Sequence, residues 1–285
     1  MSLLTKEQDL NVPQLQFNNL SNYGGVTVAG HDVVVKPWVY KLAYRAASAA
    51  QPVSIASSYP NETYHQDFYA PAIRCAPSAN ETWVQNITIE MARQTRGGGG
   101  LSYLSWAGQQ HKYPLETYDY TPLDDVSPDA SRIFFVTTAG NSSVEYNFTT
   151  SYGYWSPTDP TVSQLSVLEC LLHNASYSVD STFQYPGQSH EITISRWINP
   201  IAAYNLLDIS PEDRDPFVSY LTVMSAFGKL MVGNGFWDHY GSQGTYLSIF
   251  NILDIDWENR GSLPRQIEQL FQNITLSLLS DENLM

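Results

Sequence analysis

Apolar and polar positions follow two different rhythms along this chain. Through the first two thirds the dominant rhythm is alternation, the period of a strand with one face buried and one exposed. Valines at 26, 28, 33, 34 and 35 predict strand, and Trp38–Ala50 has helical composition ending in an Ala/Ser-rich stretch. Strand-like segments follow at Thr63–Cys75 and Trp83–Met91, where Trp83, Ile87, Ile89 and Met91 alternate with Val84, Asn86, Thr88 and Glu90. Ile133–Thr138 reads as a buried apolar run, and Val144–Thr150 alternates again. From Asn174 onward Ala175, Tyr177, Val179 and Phe183 alternate with Asn174, Ser176, Ser178, Asp180 and Thr182. Leu168–Tyr185 and Glu191–Ile198 flank Pro186-Gly187, which predicts a β-hairpin.

The last third changes to helical spacing. Ser210-Pro211-Glu212-Asp213 and Asp215-Pro216 are helix start signals. Phe217, Leu221, Met224, Phe227, Leu230 and Met231 then form one stripe, with Ser219, Thr222, Ser225 and Lys229 opposite and Gly233 and Gly235 as a stop. A second helix is expected from near Ser262, with Ile267, Leu270, Phe271, Ile274 and Leu278 on its apolar face and Asn273 turned away from it. The fold class these rhythms predict is α+β: a β-rich antiparallel sheet or sandwich-like core with two amphipathic helices in the C-terminal third. Residues 1–22 read as a polar leader and 23–285 as one ectodomain-like unit, divisible into lobes 23–130 and 131–285.

Composition narrows the function. With 28 acidic and 14 basic residues the formal charge is −14, which excludes the basic footprint of a duplex nucleic-acid binder and disfavours adsorption to an anionic membrane. Hydrophobic residues at 43% and charged residues at only 15% exclude intrinsic disorder. The first thirty residues hold no apolar signal-peptide core, and the most apolar stretch, around Tyr220–Val232, carries Ser225 and Lys229.

Eight Asn-x-Ser/Thr sequons stand at Asn19, Asn61, Asn80, Asn86, Asn141, Asn147, Asn174 and Asn273, where random placement would give about three. Asn86, Asn147 and Asn174 fall on the polar phase of alternating segments, where a glycan would project into water. N-linked glycans therefore imply the secretory pathway. Cys75 and Cys170, taken alone, are compatible with two thiols or one bridge; in an oxidising compartment the bridge is the better reading. The expected protein is an extracellular, cell-surface or lumenal domain, attached to a membrane only through segments absent from this chain.

Catalytic motifs are sparse. Phe250-Asn251-Ile252-Leu253-Asp254-Ile255-Asp256-Trp257-Glu258 resembles the D-x-x-D-x-D-x-E signature of chitinase-type glycoside hydrolases, in which Asp254 and Asp256 would raise the pKa of Glu258 for general acid work. Asn251 and Ile252 depart from the signature, and only a short stretch follows Glu258, too short to complete a (β/α)8 barrel. Arg96–Gly100 carries four glycines without the spacing of a phosphate loop. His190-Glu191 lies within a strand, so its side chains diverge, and Trp237-Asp238-His239-Tyr240 follows the helix stop as a loop with a sugar-binding composition. The sequence therefore predicts no cofactor, no metal site and no complete catalytic motif, while leaving open a Ser/His/Asp set assembled by the fold.

The block Glu169-Cys170-Leu171-Leu172-His173-Asn174-Ala175-Ser176-Tyr177-Ser178-Val179, with Phe183 and Gly187-Gln188, resembles a recurrent block of uncharacterised filamentous-fungal (ascomycete) membrane proteins. Gln66–Cys75, Ala226-Phe227 with Gly233, and Ile267–Ser277 resemble further pieces of it, so that the likeness spans roughly residues 60–280. His173 stands where that block has Tyr. The resemblance implies a glycosylated extracellular or lumenal region flanked by membrane helices, with no assigned activity and no catalytic residues to carry over. The expected role is binding, sensing or structural; the alternative is a secreted hydrolase using Asp254, Asp256 and Glu258.

Overall fold

The computed structural model describes residues 24–26, 33–55, 61–79, 84, 100–107, 131–138, 165–184, 187–201, 211–231, 233–237 and 263–280. The fold is α+β. Eight strands are present among these residues: β1 Gly24–Val26, β2 Val33–Val35, β3 Thr63–Pro77, β4 Gly100–Ala107, β5 Arg132–Thr138, β6 Leu165–Gln184, β7 Gly187–Pro200 and β8 Gly233–Trp237. The helices are α1 Pro37–Ala49, α2 Pro211–Met231 and α3 Leu263–Ser277, the last extended by a 3-10 turn, Leu278–Ser280.

The central element is β6. Along one edge it pairs with β3 in an unbroken antiparallel register from Thr63↔Thr182 to Pro77↔Leu168. Its other edge is shared end to end: β5 takes Leu165–Leu171 and β7 takes His173–Gln184. The sheet then continues through β4 to β8, so strands from both sides of residue 130 are interleaved within it. The β6–β7 hairpin follows the expected pattern, with register shifts at Asn174/Ala175 and Ser176/Tyr177 that bend β7. Among the described residues β3 ends the sheet, which is why Pro71, lacking an N–H, is tolerated inside a strand.

Burial follows the alternation in the hairpin half. Ala175, Tyr177, Val179 and Phe183 are buried while Asp180 is exposed. Phe68 stacks on Tyr177 and Tyr64 on Phe183, each pair at 5.4 Å between centroids. Fully burying one such side chain stabilises the fold by about 1.5–3 kcal/mol. At Ala70–Ile73 the pattern breaks, and four successive residues are buried because both faces of β3 are covered there. In β5, Ile133, Phe134 and Phe135 are likewise buried in succession.

The helices form the second layer. α1 starts with Pro37 at its first position, where a missing N–H costs nothing, and ends at Ala50 in the left-handed region, φ 51°. Phe227 of α2 meets Phe271 of α3 edge-on at 5.2 Å. The expected polar side of α2 is corrected by its surroundings: Ser219, Thr222 and Ser225 are buried, and Lys229 alone is exposed between Val218 and Met231. The β1–β2 ribbon and α1 pack against α2 as well as the sheet, so that from Val218 to Met231 only Lys229 is left to water. Thr222 donates to the Val218 carbonyl at 2.8 Å, satisfying its hydroxyl within the helix. Gly233 and Gly235 do follow the end of α2, but they belong to β8, which pairs with β4.

Strand expected at Val144–Thr150 and all but Val84 of Trp83–Met91 lie outside the described residues, as do the leader 1–22 and Asp254, Asp256 and Glu258. Among the described residues no helix is long and apolar enough to cross a membrane.

Candidate functional site

Cys75 and Cys170 face each other across the β3–β6 pairing and form a disulfide, Cα to Cα 4.0 Å. Cys170 is fully buried and Cys75 nearly so. The backbone N–H of Cys75, on the outer edge of β3, donates to Glu268 Oε1 of α3 at 2.7 Å. Burial raises the Glu268 carboxyl above its ordinary pKa, against the lowering effect of that hydrogen bond and of Arg74. The bridge is that of a protein matured in an oxidising environment.

The sequons divide by geometry. Asn61 is exposed and sits at φ 61°, the left-handed conformation that asparagine tolerates at a turn. Asn174 is half-buried, and its side-chain oxygen accepts the Tyr220 hydroxyl of α2 at 3.1 Å. Its polar phase therefore faces a helix instead of open water. Asn273 departs furthest from expectation: it is 5% exposed, its amide donates to the Ala50 carbonyl at 3.1 Å, and its oxygen accepts from Gln269 at 3.1 Å. The chain beyond α1 runs back across α3, with Val53 N–H donating to Ser277 Oγ, and it covers the side of α3 that helical spacing alone leaves open. Asn19, Asn80, Asn86, Asn141 and Asn147 lie outside the described residues.

The fold also assembles a cluster on the exposed side of the β3–β6 pair. His65 lies opposite Asp180, and Asp67 opposite Ser178. His65 Nδ1 is 2.8 Å from Asp180 Oδ1. Its Nε2 is 3.3 Å from Asp67 Oδ1 and 3.4 Å from Ser178 Oγ. The order Ser178, His65, Asp180 repeats that of an acyl-transfer triad. Its electrostatics differ. A carboxylate sits at each ring nitrogen and, led by the hydrogen bond to Asp180, raises the His65 pKa. Asp67 competes with Ser178 for Nε2, the ring nitrogen that would have to accept the serine proton. The side chains of His65, Asp67 and Asp180 are 52%, 66% and 59% exposed, so water reaches all three. The arrangement acts as a charged clip between two strands.

Sequence reading missed this cluster although its signal was present. Once Cys75 is set opposite Cys170, counting back along β3 and forward along β6 places His65 against Asp180. Buried tyrosines complete the interior. Tyr177 donates to the Pro71 carbonyl at 2.8 Å, which also accepts from Thr275 at 3.2 Å. Burial pushes the Tyr177 and Tyr220 phenols far above their usual range. His190 and His173 are shifted the other way, lowered by burial, and His173 meets Trp197 edge-on at 5.2 Å. Trp237 belongs to β8, while Asp238, His239 and Tyr240 lie outside the described residues. No group of metal-ligating side chains occurs among the described residues.

An open groove of about 570 Å3 runs between α1 and α2, lined by Tyr40, Lys41, Tyr44, Arg45, Lys229 and Leu230. Lys229 Nζ lies 4.6 Å from the centre of the Tyr40 ring, a cation–π contact joining the two helices. Comparison with protein-family models, curated proteins and solved structures finds no match to this chain.

Proposed function

We propose that this chain is an extracellular or lumenal glycoprotein domain, the ectodomain of a membrane-anchored protein, with a binding or sensing role. The observation that carries the reading is the buried Cys75–Cys170 bridge, which ties the end strand β3 to the central strand β6 and needs an oxidising compartment to form. The exposed turn sequon at Asn61 supports it. The clip at His65 is poorly arranged for acyl transfer, because Asp67 Oδ1 at 3.3 Å competes with Ser178 Oγ at 3.4 Å for His65 Nε2.

The test is made on the native protein recovered from its source. Fractionation locates it, non-reducing peptide mapping reads the bridge, and intact mass before and after N-glycosidase treatment reads the glycans. The expected result is a membrane-associated, disulfide-bonded protein carrying a glycan at Asn61. A reduced, unmodified cytosolic protein would overturn the reading. On the catalytic side, turnover of chitooligosaccharides abolished by Glu258→Gln, or of acyl esters abolished by Ser178→Ala, would replace it with an enzymatic one.

A further inference from the structure

The groove between α1 and α2 runs against the charge of the molecule. The chain is −14 overall, yet between Asp32 and Glu62 it contains no acidic residue. Lys41 and Arg45 stand one helical turn apart on α1, and such a like-charge pair is unfavourable in a helix. Neither has an ion-pair partner among the described residues. Lys229, the exposed residue of an otherwise buried helical stretch, brings a third cation to the same groove from α2. Helix packing does not require Lys41 or Arg45: the buried contacts that join α1 to the core are made by Val39, Leu42, Ala43, Ala46 and Ala47.

The lining narrows the ligand. The lining of the groove is largely apolar, but with Leu230 only 5% exposed it gives no deep aliphatic pocket for the anchor side chain a peptide would use. It offers aromatic surface instead, with Tyr44 43% exposed and Tyr40 overlaid by Lys229. The open form suits a length of polymer better than an enclosed small molecule. The planar fork of Arg45 matches a carboxylate. A protein of net charge −14 repels a dense polyanion, and a chain bearing one charge per sugar is repelled less.

We propose that this groove binds a carboxylate-bearing polysaccharide, with Lys41, Arg45 and Lys229 pairing its uronate groups and Tyr44 lying against a sugar face. The choice of a polysaccharide rests on the extracellular reading above. The convergence of charge is independent of it.

The experiment is titration of the intact folded protein with polygalacturonate oligomers, alongside neutral dextran, dextran sulfate and poly-glutamate. Polygalacturonate is expected to bind and neutral dextran not to bind. Lys41→Gln with Arg45→Gln is expected to weaken binding about tenfold or more, and raised salt to weaken it further. Tyr44→Ala is expected to weaken it by a smaller factor. These side chains are exposed or line the groove, and circular dichroism checks that each variant is folded. Arg196→Gln and Arg265→Gln, both exposed and away from the groove, are expected to leave affinity unchanged.

Absence of binding, unchanged affinity in the Lys41/Arg45 variant, or equal loss in the Arg196 and Arg265 variants would overturn the proposal. Tighter binding of poly-glutamate or dextran sulfate would overturn the polysaccharide or the carboxylate choice respectively. None of these outcomes alters the disulfide and glycan readout, and a cytosolic native protein would leave the binding measurement as it stands.

Discussion

At His65 a single ring answers to two carboxylates, and the sign of its effect follows. Its pKa in the folded protein lies above the ordinary value of 6.5, with the Asp180 hydrogen bond as the first cause. The clip therefore contributes stability in full below that ordinary value and loses it as pH rises through the raised folded value. Exposure keeps the contribution small. Asp180→Asn should move the imidazole titration, followed by NMR, down toward its ordinary value, and the two proteins should differ in stability only on the acid side. An unmoved titration would show that Asp180 does not hold the ring. His173 and His190 act with the opposite sign: burial lowers both, so their contribution is present above the ordinary value and is lost as acid protonates them. Asn273 is the residue where sequence and structure diverge most, because its sequon is intact and its amide is spent on the Ala50 carbonyl. Glycopeptide mapping of folded protein should find Asn61 occupied and Asn273 bare. Asn273→Ala should cost about 1–3 kcal/mol in chemical denaturation, since it strands a partly buried carbonyl at the end of α1.

Among the elements, β3 is the most dependent on its neighbours. It ends the sheet among the described residues, and it is held by a disulfide to β6 and by Glu268 of α3, which accepts the Cys75 N–H. Glu268→Ala leaves that N–H without its acceptor and should cost about 1–3 kcal/mol, whereas Glu268→Gln keeps an acceptor and should cost clearly less. Equal losses would show that the carboxylate acts through its charge and not through this bond. Replacing both cysteines by alanine frees a loop of sequence separation 95 in the unfolded chain. The loss expected from chain entropy is roughly 4–5 kcal/mol, read as a shift of the denaturation midpoint. The same elements show what was legible beforehand. Period-two alternation located β3, β6 and β7, and helical spacing located α2 and α3, because apolar side chains recur along each of them at the period of the element over a long run. β4 and β8 escaped because they are built around Gly100, Gly233 and Gly235, residues that signal turns and carry no side chain to alternate. The burial of Ser219, Thr222 and Ser225 escaped for a different reason: small hydroxyl side chains that look solvent-facing also let a helix pack closely on every side, and only the tertiary arrangement decides between the two. The clip at His65 needed a strand register, which no local pattern supplies.

For the whole molecule the decisive quantity is charge, and it is unevenly spread. In a chain of −14, three of the 14 cationic residues meet at one groove between α1 and α2, while the exposed side of the β3–β6 pair carries Asp67 and Asp180 around a single histidine. At neutral pH such molecules repel one another, and this repulsion maintains solubility without help from glycans. Near the sequence pI of 4.6 the repulsion vanishes, and the cationic groove of one molecule can meet the acidic sheet face of another. Any glycans at Asn61 and at the other sequons would then be the remaining barrier, because a hydrated sugar chain keeps surfaces apart regardless of pH. Enzymatic deglycosylation of the folded protein should therefore promote aggregation most strongly around pH 4.6 and little at neutral pH, as followed by light scattering. Added salt should reduce the aggregation if groove-to-face pairing drives it and leave it unchanged if loss of net repulsion alone is responsible. Equal scattering with and without glycans at pH 4.6 would show that the sugars have no part in keeping this acidic surface dispersed.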